Sequence, residues 1–422
     1  MIEMDDNIRS ILDNEIKMTM GCTDPGAIAF AASQAAALLD GSLNSISVIL
    51  SKNIYKNAVY VGIPVIKKFG IEYAAILGAI IKKPELKLAV LSAITSDMQN
   101  EVCNYLDTIP VKVAYSDIDE PLYISVTCNS DISSVTVIIK EDYDWIYHVE
   151  KNNEILYHCE PKKIIDKYSY KGWNFKSLYI NAISRHIDDK SILEYEETNK
   201  RAAIQALDKD TRLYLSQLSQ LDSIPINDLA NMARIYVLNA SKMRMSGERC
   251  PIASVAGSGN LGILSMLAVS AVCDALKKTQ QERINAIFLS VLTAIYVKSQ
   301  MNRLTVMCGT AVAGAAGTAA ATAYLLGGGI EEAENAINTV IGSIGGMLCD
   351  GAKESCAFKV SFAAECAVKS GGMAVNKTGI RTGSGIITDN IDDNIKNIGL
   401  INNLGMKEAD SIMLEILSTQ KK

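Results

Sequence analysis

At 422 residues the chain is two to three times a typical domain, which calls for two domains or one elaborated core and excludes a mini-protein. Apolar residues make up 49% and charged residues 21%, the balance of a folded globular chain and not of a disordered or fibrous one. A net charge of -6 with no long basic block argues against nucleic acid as a partner and leaves a small molecule.

Aromatic residues are only 6%, so the interior is to be built from Ala, Ile, Leu, Val, Gly and Met, the material of closely packed helices. The first residues, Met1 to Asp6, are acidic and carry no charged-then-apolar signal, which predicts a cytoplasmic protein. Ten cysteines in a reducing compartment are then thiols, metal ligands or core filler and not a disulfide frame.

In chain order, Asp5 to Met20 reads as a helix with Ile8, Ile11, Leu12 and Ile16 on one face, broken at Gly21. Pro25 opens an Ala-rich helix to about Leu39, and Ser45 to Leu50 alternates as a strand. Short β-rich runs follow at Val111 to Tyr115, Leu122 to Thr127 and Val135 to Ile139. Trp145 to Val149 and Ile155 to Tyr157 flank Asn152-Asn153 and predict a hairpin.

From about Leu193 onward helices are predicted over 193–220, 226–243, 262–278, 281–299, 304–326, 331–344 and 352–369. A polar stretch with turns from Asn376 to Lys396 precedes a last helix, Ala409 to Ser418. The fold class is α+β: a mixed α/β part with a small sheet over 1–190, carrying the Cys22 loop, and a helical domain over 191–422. Residues 304–330 carry no charge and are long enough to span a bilayer, but their Gly/Ala-rich middle fits a buried helix better, so no membrane partner is expected.

Three cysteines stand out by context. Cys308, Cys349 and Cys356 each lie beside Gly or Ala, where a bulky inorganic group can approach the backbone. Seven residues of continuous helix span about 10.5 Å, too far for two ligands of one compact cluster, so Asp350-Gly351 is expected to interrupt the helix. Three thiolates without an obvious fourth ligand suit a 4Fe-4S cluster with one iron open to substrate. Ordinary buried thiols are the alternative. Zinc is disfavoured, because His148, His158 and His186 are remote in sequence.

Thr23 or Asp24 can cap the helix that Pro25 begins, which would leave Cys22 at the positive end of a helix dipole with a lowered pKa, fit for a base or nucleophile. A turn cysteine without a role is the competing reading. Ala256-Gly257-Ser258-Gly259-Asn260 precedes a helix and offers N–H groups and the Ser258 and Asn260 side chains to a carboxylate, or is a plain helix entry. Arg303 and Lys353 are cations near the three cysteines that can clamp a substrate carboxylate or sit solvated on helix faces. The polar run Ser51 to Asn57 is a further candidate wall of the same site.

Taken together, these residues resemble the L-cysteine desulfidases, relatives of the iron-sulfur L-serine dehydratases. The likeness runs over most of the chain: Gly21-Cys22-Thr23-Asp24-Pro25, Asn53 to Asn57 with Pro64, Arg244 to Gly247, Gly257 to Asn260, Arg303-Leu304 leading to Cys308, and Cys349 to Ala352 leading to Cys356. The resemblance implies that Cys308, Cys349 and Cys356 ligate a 4Fe-4S cluster and that Cys22 removes the substrate's α-proton. It implies elimination of L-cysteine to sulfide, ammonia and pyruvate, without pyridoxal phosphate. Thr23, Asn57, Ser258, Asn260, Arg303 and Lys353 are the corresponding candidates for binding the amino acid.

Three positions depart from that pattern: Leu261 where Gln is usual, Val65 where Gly is usual, and Tyr143-Asp144-Trp145 in place of a His-Thr-Asn turn. L-Serine on the same machinery, a non-catalytic iron-sulfur sensor or sulfur-supply protein, and a helical binding domain with structural thiols are therefore carried as rival readings. A homo-oligomer is compatible with the sequence and not specified by it.

Overall fold

The computed structural model describes residues 6–116, 118, 120–159, 172–183, 190–218, 220–221, 223–302 and 304–419. Helix α1 (Asp6–Glu15) buries Ile8, Ile11 and Leu12, and the chain then enters strand β1 (Ile16–Met20), where a continued helix was predicted. The reason is tertiary: β1 pairs antiparallel with a strand more than 230 residues later, with Ile16 opposite Val255 and Met20 opposite Pro251. Local periodicity cannot report such a partner.

Helix α2 (Thr23–Leu38) is buried almost all round, and its many alanines are what allow that. It covers one face of a six-stranded sheet and is backed by α4. The chain builds this layer from β2 (Ser45–Ser51), α3 (Lys52–Ala58), α4 (Ile71–Ile81), a 3₁₀ segment (Pro84–Ala93), α5 (Ser96–Thr108), β3 (Val111–Ser116), β4 (Tyr123–Asn129), β5 (Ser134–Lys140), β6 (Ile146–Lys151) and β7 (Glu154–His158). Strand order is β3-β2-β4-β5-β6-β7, with only the β2/β3 pair parallel. Ile46, Val48 and Leu50 of β2, with Ile124 and Val126 of β4 and Val135 and Val137 of β5, alternate inward onto α2. Asn152 and Asn153, at φ of 52° and 66°, make the turn of the expected β6/β7 hairpin.

The rest is largely helical: α6 (Phe175–Ile183), α7 (Lys190–Gln205), α8 (Lys209–Leu218), α9 (Ile226–Met245), strand β8 (Pro251–Val255), α10 (Gly259–Ala275), α11 (Gln280–Ser299), α12 (Ala315–Leu325), α13 (Ile330–Ile344), α14 (Cys356–Val375), α15 (Ile391–Leu400) and α16 (Lys407–Thr419). Two differences from expectation are plain. The helix predicted over 193–220 is two helices broken around Asp208, and α15 begins within the stretch read as polar turns and runs past its end.

The charge-free run 304–330 does not form one helix. It starts as a loop with a bridge between Met307 and Leu348, passes through a π turn at Thr310–Gly314, and only then becomes α12. Helix α12 is packed against α10, α11, α13 and α14, and Gly317 sits so close to α11 that a Cβ there would lie 2.1 Å from the Ser290 carbonyl oxygen. Among the described residues no helix is long and apolar enough to cross a membrane.

Two large apolar cores result. One lies between α2, α4 and the sheet, and the other within the helical bundle, which also takes in Ile8, Ile11, Leu12 and Ile16 from the start of the chain.

Candidate active site

A turn at Gly21 begins the site. Its φ is 72°, and a Cβ there would lie 2.4 Å from Pro64 Cγ, so only glycine fits. Cys22 occupies the N-cap of α2, and its side chain makes no capping hydrogen bond. Its Sγ donates to Asp24 Oδ2 at 3.4 Å. Asp24 is 3% exposed and accepts two further hydrogen bonds on Oδ1, from Asn57 Nδ2 at 3.4 Å and from the Tyr143 hydroxyl at 3.2 Å.

This corrects the expectation for Cys22. Burial, which disfavours the thiolate, pushes its pKa up to about 12 against the lowering influence of Arg244, and the helix terminus does not reverse that. Asp24 is likewise raised by burial, opposed by its hydrogen bonds and by Arg244. Nor do Thr23 and Asp24 cap the helix. Both lie inside its first turn, Asp24 engaged as above and Thr23 Oγ1 donating to the Gly257 carbonyl at 3.1 Å.

That carbonyl belongs to the turn between β8 and α10. Ala256 and Gly257 have φ of 47° and 76°, bringing Val255 and Ser258 into reciprocal backbone hydrogen bonds. Strand β8 thus precedes the turn, but it pairs antiparallel with β1 and belongs to no βαβ unit. Ser258 Oγ caps α10 by accepting from Leu261 N at 3.3 Å and shares a hydrogen bond with Thr310 at 3.3 Å. Asn260 accepts from Arg244 Nη1 at 3.2 Å, while Arg244 Nε donates to the Gly21 carbonyl at 3.1 Å. Arg244, 3% exposed, therefore ties the Cys22 turn to the start of α10.

The three remaining thiols come from two loops. Cys308 N donates to the Met347 carbonyl and Cys349 N to the Val306 carbonyl, each at 2.7 Å, which locks the segment before the π turn beside the end of the loop after α13. Residues 350–355 are non-helical, as the Asp350-Gly351 break required, and Cys356 is the first residue of α14. Burial raises the Cys308 pKa to about 12, and repulsion from Cys349 and Cys356 adds to the shift.

All these pieces border one cavity of about 110 Å³. Of the residues singled out in the sequence, Cys22, Thr23, Asn57, Ser258, Asn260, Cys308, Cys349 and Cys356 line it. Lys353 does not, because its ammonium is held by Asp350, with an Nζ to Oδ2 distance of 2.5 Å. Arg303 lies outside the described residues. Asp24, Tyr143, Arg244 and Lys298 also line the cavity and were not assigned from sequence. Lys298, at the last turn of α11, donates to the Asn302 carbonyl at 2.6 Å and adds a buried cation to the wall.

Three soft thiol donors lining one cavity are the right chemistry for an iron-sulfur cluster. Among the described residues no group of three or more His, Cys, Asp or Glu side chains is gathered in metal-holding geometry. Cys356 Sγ instead donates to the Gly351 carbonyl at 3.4 Å.

Residues 87–415 match the family described as the serine dehydratase alpha chain. The chain is 34% identical over 412 residues to a UPF0597 protein of Methanocella arvoryzae, covering 96% of this chain and 97% of that one. It is 34% identical over 417 residues to a UPF0597 protein of Clostridium perfringens, and 32% identical over 420 residues to one of Phocaeicola vulgatus, each over 97% or more of both chains. With matches of that extent to the family model and to full-length relatives, this chain belongs to the serine dehydratase alpha chain family.

Proposed function

We propose that the chain is an iron-sulfur-dependent lyase that eliminates water from L-serine, the resulting enamine hydrolysing to pyruvate and ammonia. The observation that carries the reading is the single cavity lined by Cys22 and Asp24 together with Cys308, Cys349 and Cys356, within a chain of the serine dehydratase alpha chain family. L-Cysteine, with sulfide as the leaving group, is the second reading. It is favoured by the Gly21 to Pro25 and Cys349 to Cys356 motifs, whereas the family match favours serine.

A 4Fe-4S cluster held by Cys308, Cys349 and Cys356 would supply a Lewis-acidic iron for the departing group. The chain's own residues do the rest. Ser258, Asn260 and Thr23 line the cavity wall and offer hydroxyl and amide groups to the substrate's carboxylate and amine. Arg244 and Lys298 bias that wall towards a carboxylate by their charge. Cys22, facing the cavity from the head of α2, takes the α-proton. In this proposal residues 1–190 contribute the base, residues 191–422 the cluster thiols and the carboxylate turn, and a reducing cytoplasm is the compartment such chemistry requires.

Anaerobic reconstitution with iron and sulfide, followed by visible absorption and pyruvate release from each amino acid, tests the reading. The expected result is a coloured protein that forms pyruvate from L-serine. Cys22→Ala should keep its colour and lose at least ~100-fold in turnover. Pyruvate from L-cysteine alone would put the second reading first. A colourless wild-type protein after reconstitution would remove both.

A further inference from the structure

Asp24 sits two residues beyond Cys22 in the first turn of α2, 3% exposed, and its hydrogen-bonding donors come from three parts of the fold. Oδ1 is held by Asn57 of α3 and by Tyr143 from the loop before β6, which leaves Oδ2 turned to the Cys22 thiol. Burying a carboxylate is costly, and such groups are ordinarily kept beside a cation. Asp24 has no ion-pair partner among the described residues. Its hydrogen-bonding donors are neutral: an amide, a phenol and a thiol. Arg244 acts on it only at a distance, its own Nε and Nη1 being directed to the Gly21 carbonyl and to Asn260. A carboxylate so placed can take up a proton without breaking a salt bridge.

We propose that Asp24 accepts the proton of the Cys22 thiol, so that the two act as one base, with Asn57 and Tyr143 as positioning residues that hold the acceptor. Its consequence for catalysis rests on the lyase reading above, whereas the proton sharing itself does not. In the first step the Sγ–H bond breaks, an Oδ2–H bond forms, and the electron pair stays on sulfur, so the pair keeps its single negative charge. The thiolate then takes the substrate's α-proton, and the Cα–H electron pair moves towards Cβ as the β-hydroxyl departs. The proton gained by the pair leaves with that hydroxyl as water, which returns the pair to one proton. Burial raises the proton affinity of both groups, of the acceptor carboxyl as well as of the thiol.

Asp24→Asn keeps size and hydrogen bonding and removes the proton acceptor. Methyl methanethiosulfonate labelling of Cys22 at pH 7 without substrate, followed by peptide mass mapping, reads the proton sharing directly. The expected result is labelling at least ~10-fold slower in Asp24→Asn than in wild type, with kcat lowered ~100-fold and KM within ~3-fold. Labelling that is unchanged, or faster because a repelling charge has gone, overturns the proposal. Should Asp24→Asn fail to fold, Tyr143→Phe keeps the ring and loosens the acceptor. Because the lost hydrogen bond held the Asp24 carboxyl's proton affinity down, labelling should quicken several-fold, and labelling at or below the wild-type rate there overturns the proposal too. Wild-type protein that makes pyruvate from neither amino acid, while Asp24→Asn still slows labelling, defeats the lyase reading and leaves the proton sharing standing.

Discussion

Gly351 shows how much a single position can fix in this site. Its φ is 95°, and a Cβ there would lie 2.2 Å from the Lys56 carbonyl oxygen, so alanine meets both backbone strain and a backbone clash. Gly351→Ala should destabilise the protein by about 1–3 kcal/mol, read as a lower denaturation midpoint. On the proposed iron-sulfur reading, because the residue lies between Cys349 and Cys356, the variant should also retain less iron and labile sulfide after reconstitution. Full iron content with lowered stability would show that the loop's shape and its thiols are independent.

At the level of elements, the entry to α11 makes a pH-dependent prediction. Thr279 Oγ1 accepts from Glu282 N, and the Glu282 carboxylate accepts from Thr279 N at 2.9 Å and from its hydroxyl at 2.7 Å, a reciprocal cap. Those bonds, with help from Lys278, hold the Glu282 pKa down to about 2. Since the folded value is depressed, the stabilisation is complete above the ordinary carboxylate range and is lost as pH falls from about 4.5 towards 2. Thr279→Ala should cost about 1 kcal/mol at pH 7. The difference in melting temperature between wild type and Glu282→Ala should narrow as the pH is lowered from 5 to 3 and close only at about pH 2 or below.

The same scale shows what could be read from the sequence. The strands of the sheet and most long helices were legible, because their apolar residues repeat at two or at three to four within a single segment. Helix α15 carried that signal too, with Ile391, Ile395 and Ile398 buried and Asn390 capping Asp393 N, but Asp392, Asp393 and the neighbouring asparagines masked it. Strands β1 and β8 carried none, since each is five residues long and is made by the other. In the site, the cysteines could be singled out by their small neighbours. Tyr143, Arg244 and Lys298 owe their places to packing between distant segments, and the Cys22 pKa is set by burial that no local pattern reveals.

Across the whole molecule, an ion pair ties the last helix to α3 beside the first core. Lys56 is 2% exposed, its ammonium reaches Asp410 of α16, and its carbonyl is the atom against which Gly351 packs. Asp410→Ala would leave a buried ammonium without that partner and should cost about 3 kcal/mol, whereas Lys56→Met with Asp410→Ala together should recover much of the loss. Equal destabilisation by the single and the double variant would mean that the pair contributes nothing specific.

The pairing of β1 with β8 also dictates a timetable. During synthesis the stretch ending at Met20 has no strand to join until Val255 has left the ribosome, so the Cys22 turn cannot be set before well over half of the polypeptide has been made. Nascent chains arrested short of that point should leave their opening residues open to protease, and those halted beyond it should shield them.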